Sequence, residues 1–165
     1  MKPAEVSAPD ETSVVVNRTF AAPLQLVWRA YTEADLLRRW CQGPPGWSMP
    51  VCEMDSKTGG LYRWRWRDDS NGTEFGFQGE FLEVVVNSKI VHTQVYDPGD
   101  LGISMGGSPW IITVEFQEAG EVTKVTTTFA FATREDRDAA MDSGMTEGME
   151  TSYQHLDETL TSVAS

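Results

Sequence analysis

Two helical patterns at opposite ends of the chain enclose a long stretch of strand-like alternation, and this arrangement limits the possible folds more than any other feature. Leu24, Val27, Trp28 and Tyr31 recur at helical spacing near the start. Met141, Met145, Met149, Ser152 and Leu156 do the same near the end. Between Trp47 and Phe131 the apolar period is two, so alternate side chains point to opposite faces of a sheet. Antiparallel strands joined by short turns need one covered face, and only the last segment of the chain is available as a cover. One helix cannot tightly fill a curved sheet bearing so many aromatics. The space between them is a large core or a pocket.

Local signals place the elements. Val14 to Phe20 is rich in β-branched residues and reads as a strand. Pro23 suits the first position of a helix, where its missing N–H costs nothing. Thr32 followed by Asp35 resembles a capping box opening a second helix over Leu36, Leu37 and Trp40, which Gly43, Pro44 and Pro45 then stop. From Leu61 to Asp68, Tyr62, Trp64 and Trp66 share one face while Arg63, Arg65 and Arg67 share the other. Asn71-Gly72 is a tight-turn signal. Phe75, Phe77 and Phe81 lie on one side of the next strand, Ser88 to Tyr96 forms another, and Trp110 and Ile112 begin a face continued by Val114 and Phe116. Thr133 caps a final helix expected from about Arg134 to Ser162, with acids in its first turn. Gly144 and Gly148 fall inside it, each at a cost of about 1 kcal/mol relative to Ala. Their missing side chains would let the helix approach the sheet or open a portal. The expected fold class is α+β: a curved antiparallel sheet of about seven strands, two short helices after the first strand, and a long C-terminal helix across the sheet.

At 165 residues the chain fits one domain, expected over residues 12–165 after a disordered tail at 1–11 that holds Pro3 and Pro9. A net charge of −12 repels phosphate backbones and anionic headgroups, which argues against nucleic-acid and membrane partners. No stretch of 18 apolar residues occurs, and a cytoplasmic location is expected. Cys41 and Cys52 read as free thiols.

Chemical motifs are sparse. His92 and His155 are the only histidines and do not sit at metal-ligand spacing, so no metal or cofactor is expected. There is no Gly-x-Ser-x-Gly elbow. The run Gly102 to Gly107 lacks the Lys-Ser/Thr ending of a phosphate loop and reads as a strand connection or a lid. Asp55 is expected to tie down its own turn through backbone N–H groups. No catalytic residue is assigned. The candidate ligand-binding residues are Trp40, Trp47, Tyr62, Trp64, Trp66, Phe75, Phe77, His92, Tyr96, Trp110, Ile112, Met141, Met145, Gly148 and Met149. Of these, Tyr62, Tyr96 and His92 are the candidate hydrogen-bonding groups.

Several short motifs together resemble one family. Ala22-Pro23 with Val27-Trp28, then Leu36 through Trp40 and Gly43-Pro44, resembles the opening of the SRPBCC (START-like, helix-grip) superfamily. Glu53-Met54-Asp55 before Gly59-Gly60, Gly79 before Phe81, Thr93, and Gly144-Met145 with Gly148 are similar to one branch. That branch is named after the activator of the ninety-kilodalton heat-shock chaperone's ATPase. The chain departs from it at Lys57, where an Arg is usual, and at Cys41, where an aromatic commonly follows Trp40. The resemblance implies a helix-grip fold around a cavity. The expected function is non-covalent binding of an apolar or aromatic small molecule. A co-chaperone-like interaction module, with a chaperone or a second copy as partner, and a cyclase- or dehydratase-type enzyme are the alternatives.

Overall fold

The computed structural model describes residues 2–43, 45–97 and 109–164. Among the described residues, eight strands form one sheet in the order β1-β2-β8-β7-β6-β5-β4-β3, every neighbouring pair antiparallel. They are β1 (Glu5–Ser7), β2 (Ser13–Phe20), β3 (Trp47–Met54), β4 (Leu61–Asp68), β5 (Glu74–Val85), β6 (Lys89–Asp97), β7 (Trp110–Ala119) and β8 (Val122–Ala130). β3 to β8 form a meander, and β2 closes against β8. Register shifts at Ser48/Val51 and at Phe81/Glu83 bend the half of the sheet that carries the aromatic strands. The sheet has one strand more than the seven expected. The extra one is β1, within the segment expected to be disordered. It pairs with β2, and the Ala4 N–H donates to Glu150 Oε1 at 2.8 Å.

Two short helices, α1 (Leu24–Thr32) and α2 (Ala34–Trp40), follow β2. Pro23 is the N-cap of α1 rather than its first helical residue; its carbonyl accepts from the Leu26 and Val27 N–H groups. The Thr32 capping box does not form. The Thr32 hydroxyl donates back to the Trp28 carbonyl at 2.8 Å, and Glu33 caps α2 without a side-chain bond. Asp55 also differs: its carboxylate meets the Lys57 ammonium, while its backbone carbonyl accepts the Lys57 N–H.

The single long C-terminal helix is two helices, α3 (Arg134–Asp142) and α4 (Met145–Ala164). Thr133 caps α3 as expected, accepting from the Asp136 N–H at 3.1 Å. The break falls at Gly144, whose φ of +85° lies in the left-handed region. Gly148, by contrast, is helical within α4, and a Cβ added there would meet nothing within 4 Å. Gly148 therefore does not mark a close approach to the sheet. Two substitutions should move stability in opposite directions. Gly144→Ala is expected to cost roughly 1–2 kcal/mol, because a Cβ opposes the left-handed conformation. Gly148→Ala should gain about 1 kcal/mol from helix propensity. Urea unfolding of both variants checks the pair, and a stabilised Gly144→Ala protein would show that the break is not needed.

The core is solid at one end. Val14, Val16 and Phe20 of β2 and Val125 of β8 pack with Val27, Leu156 and Leu160 from the helices. Arg18 lies on this buried face, reaching Glu150 at 3.3 Å and Asp157 at 2.8 Å, both on α4. The other end of the sheet is different. Trp64, Trp66, Phe75, Phe77 and Tyr96 are only partly buried, because α4 does not fill the space in front of them. Arg63 and Arg67 are exposed on the convex face, as the alternation requires. No helix among the described residues is long and apolar enough to cross a membrane.

Candidate functional site

The unfilled end of the grip is a cavity of about 540 Å³ between the aromatic strands, α2 and the start of α4. That volume lies within the 300–1,000 Å³ typical of small-molecule sites, as a rough range. β4 and β5 supply Trp64, Trp66, Phe75 and Phe77, which alternation places on one face and the register brings side by side. β6 and β7 add His92, Tyr96, Trp110 and Ile112. Trp40 closes the α2 side; its indole N–H donates to the Ala30 carbonyl at 2.9 Å. Met145, Gly148, Met149, Ser152 and Tyr153 form the α4 side. The rings hold one another at edge-to-face and offset angles, Trp66 stacking on Phe75 at 5.6 Å and Phe77 tilting against Trp110 at 6.2 Å.

Three candidate residues do not line this cavity. Tyr62 lies behind the wall, 3% exposed, packed on Trp64, Phe81 and His92. Its hydroxyl donates to the Thr93 carbonyl and is not available to a ligand. Met141 precedes the Gly144 break and packs against the core as part of α3. Trp47 borders an adjoining hollow of about 440 Å³ that shares Trp66, Phe75, Phe77 and Gly148 with the main cavity. The Gly102–Gly107 run, read as a lid or connection, lies outside the described residues.

Other lining residues were not picked out from the sequence. Tyr31, Tyr153 and Gln94 face the cavity, as does Cys41, the position noted above for its missing aromatic. Gln94 had a readable signal, since it stands two residues from His92 on the same strand and so on the same face. Tyr31 and Tyr153 come from helices, where a stripe of aromatic residues reads equally as core.

No Asp, Glu, Lys or Arg is among the described lining residues. Burial pushes the His92 imidazole down to about 4, partly opposed by its hydrogen bond to the Thr93 carbonyl. Burial likewise raises the Cys41 thiol and the Tyr31 phenol, and lifts Tyr153 to about 12. At neutral pH these four groups are uncharged. The wall is thus an apolar surface with a few neutral polar groups. Among the described residues, no three His, Cys, Asp or Glu side chains gather as a metal-ion group.

The architecture recurs in solved structures. A protein from Rhodobacter sphaeroides is 27% identical and superposes with a TM-score of 0.88, covering 98% of this chain and 99% of that one. A protein from Nitrosomonas europaea, also 27% identical, gives 0.80 over 95% and 99%. CalU16 from Micromonospora echinospora shares the fold at 18% identity, with a TM-score of 0.64 over 95% of this chain and 74% of that one. No curated protein matches. The profile of one family, described as "Activator of Hsp90 ATPase homolog 1-like protein", matches residues 21–161, and with the helix-grip architecture around its cavity the chain belongs to that family.

Proposed function

We propose that the protein binds an apolar or aromatic small molecule, non-covalently, in the cavity between the sheet and α4. The observation that carries this reading is the uncharged, aromatic lining of a cavity of about 540 Å³. Aromatic faces provide large contact areas, and binding there releases water from apolar surface. Acid–base catalysis requires groups whose pKa values lie near the working pH. Burial moves His92, Tyr31, Tyr153 and Cys41 away from neutrality instead.

The test uses an uncharged environment-sensitive dye, N-phenyl-1-naphthylamine. Its fluorescence should rise on mixing with the folded wild-type protein. Gly148→Leu places a side chain at the junction of the main cavity and the hollow beside Trp47. This variant should weaken dye binding by about tenfold, equivalent to roughly 1.4 kcal/mol of lost contact. Open space around the Gly148 Cβ favours folding of the variant. Equal dye affinity in the two proteins, or no signal from the wild type, would count against the reading.

A further inference from the structure

Two of the cavity wall's neutral hydrogen-bonding side chains stand side by side on β6, apart from the Tyr31 hydroxyl and Trp64 indole N–H, which are buried and unpartnered among the described residues. His92 and Gln94 point the same way, and their cross-strand partners on β7 are Ile112 and Trp110. Proton positions at His92 follow from its neighbours. The Thr93 carbonyl can only accept, and the Tyr62 hydroxyl already donates to it. His92 Nδ1 lies 3.1 Å from that carbonyl and 3.1 Å from the Tyr62 oxygen, so it faces acceptors and carries the ring proton. The other nitrogen, Nε2, is left as an acceptor with no partner among the described residues.

Gln94 presents the complementary need. It is 9% exposed, lines the cavity, and its amide has no hydrogen-bond partner among the described residues. Its amide opens onto the cavity, where a bound molecule can meet it. One acceptor nitrogen and one amide N–H on the same face can be satisfied together by a single hydroxyl. Its proton goes to His92 Nε2, and its oxygen accepts from Gln94. A carboxylate fails here, because it cannot donate to Nε2 and no cation lines the cavity among the described residues. The buried cation Arg18 is already held by Glu150 and Asp157.

We infer that the cavity selects an uncharged aromatic molecule carrying a hydroxyl, held flat against Trp64, Phe77 and Trp110 and oriented by His92 and Gln94. This rests on the binding reading above and narrows its ligand class. The probes are naphthalene, 2-naphthol and 2-naphthoate, each displacing N-phenyl-1-naphthylamine at neutral pH, where the naphthol keeps its proton and the naphthoate is ionised. The wild type should bind 2-naphthol about tenfold more tightly than either of the others, as expected for one well-placed hydrogen bond in a dry site. The readout in the variants is the ratio of naphthol to naphthalene affinity, which is insensitive to a general loss of packing. His92→Phe should bring that ratio close to one, and Gln94→Leu should lower it severalfold. Equal affinity for naphthol and naphthalene in the wild type overturns the hydroxyl inference and leaves apolar binding standing. So does an unchanged ratio in both variants, or a preference for naphthoate. Failure of the dye itself to bind overturns both readings.

Discussion

Arg18→Ala should lower the unfolding free energy by about 3–5 kcal/mol, the usual range when one partner of a buried ion pair is removed. The Arg18 side chain is 1% exposed, inside a face otherwise made of Val14, Val16 and Phe20. Burying a guanidinium there is unfavourable by itself. It is offset by two carboxylates of α4, by the Thr19 carbonyl at 3.0 Å, and by the faces of Phe20 and Tyr153 at 5.1 and 5.9 Å. Burial works against the charge on Glu150, but hydrogen bonds from Arg18 and the Ala4 N–H hold its carboxyl below the usual range. Removing Arg18 leaves Glu150 and Asp157 without their counter-charge against an apolar face. Arg18→Lys keeps the charge but loses the planar fork, so an intermediate loss is expected. Combining Arg18→Met with Glu150→Gln and Asp157→Asn should recover much of the deficit, since no uncompensated charge remains. Urea unfolding of the series is the measurement. A loss under about 1 kcal/mol for Arg18→Ala would reduce the cluster to the status of a surface ion pair.

Acid should also destabilise the protein through His92. The unfolded imidazole takes up a proton near its ordinary 6.5, while burial delays protonation in the folded protein to about 4. Between those values the unfolded state binds more protons. Stability is therefore full above about pH 6.5 and is drawn down as pH falls through the window. The separation corresponds to a loss on the order of 3 kcal/mol by pH 4. The carboxyls of Glu150, Asp10 and Asp68 are also held low and add a loss of the same sign at the acid end. His92→Phe separates the contributions, since it keeps a ring of similar shape and cannot titrate. Stability measured by urea at pH 7.5, 5.5 and 4.5 should fall more steeply for the wild type than for this variant. Parallel pH profiles for the two proteins would remove His92 as the cause.

The parts of this fold that were readable in the sequence depend on period. The face shared by Tyr62, Trp64 and Trp66 follows from alternation alone, and so do the opposing arginines. The parts that were not readable depend on single backbone angles or on contacts between distant residues. Met141, Met145 and Met149 keep a spacing of four across Gly144, so a hydrophobic pattern reads straight through the turn that its φ imposes. β1 lacks a core of its own and is held by β2 and by Glu150 on α4. Thr32 had two local uses for its hydroxyl, capping forward or bonding back to Trp28, and sequence spacing does not choose between them. Within the site, the aromatic wall was visible in advance. The fate of the Tyr62 hydroxyl was not, because its acceptor is a carbonyl on a strand 31 positions away.

The positions of the ion cluster and of the Gly144 turn divide α4 mechanically. Leu156 and Leu160 are buried, and Asp157 and Glu150 are gripped by Arg18, so the helix is fastened from Glu150 onward. Met145, Gly148 and Met149 line the cavity before that point, whereas Ser152 and Tyr153 line it from the fastened part of the helix. The stretch ahead of Glu150 is about 7 Å long at 1.5 Å per residue and starts where the backbone turns out of α3 at Gly144. Met side chains, with three rotatable bonds, can reshape its underside. The proposed ligand would thus meet rigid aromatic rings on the sheet side and deformable Met145 and Met149 side chains on the other, a pairing that suits occupants varying in thickness more than in outline.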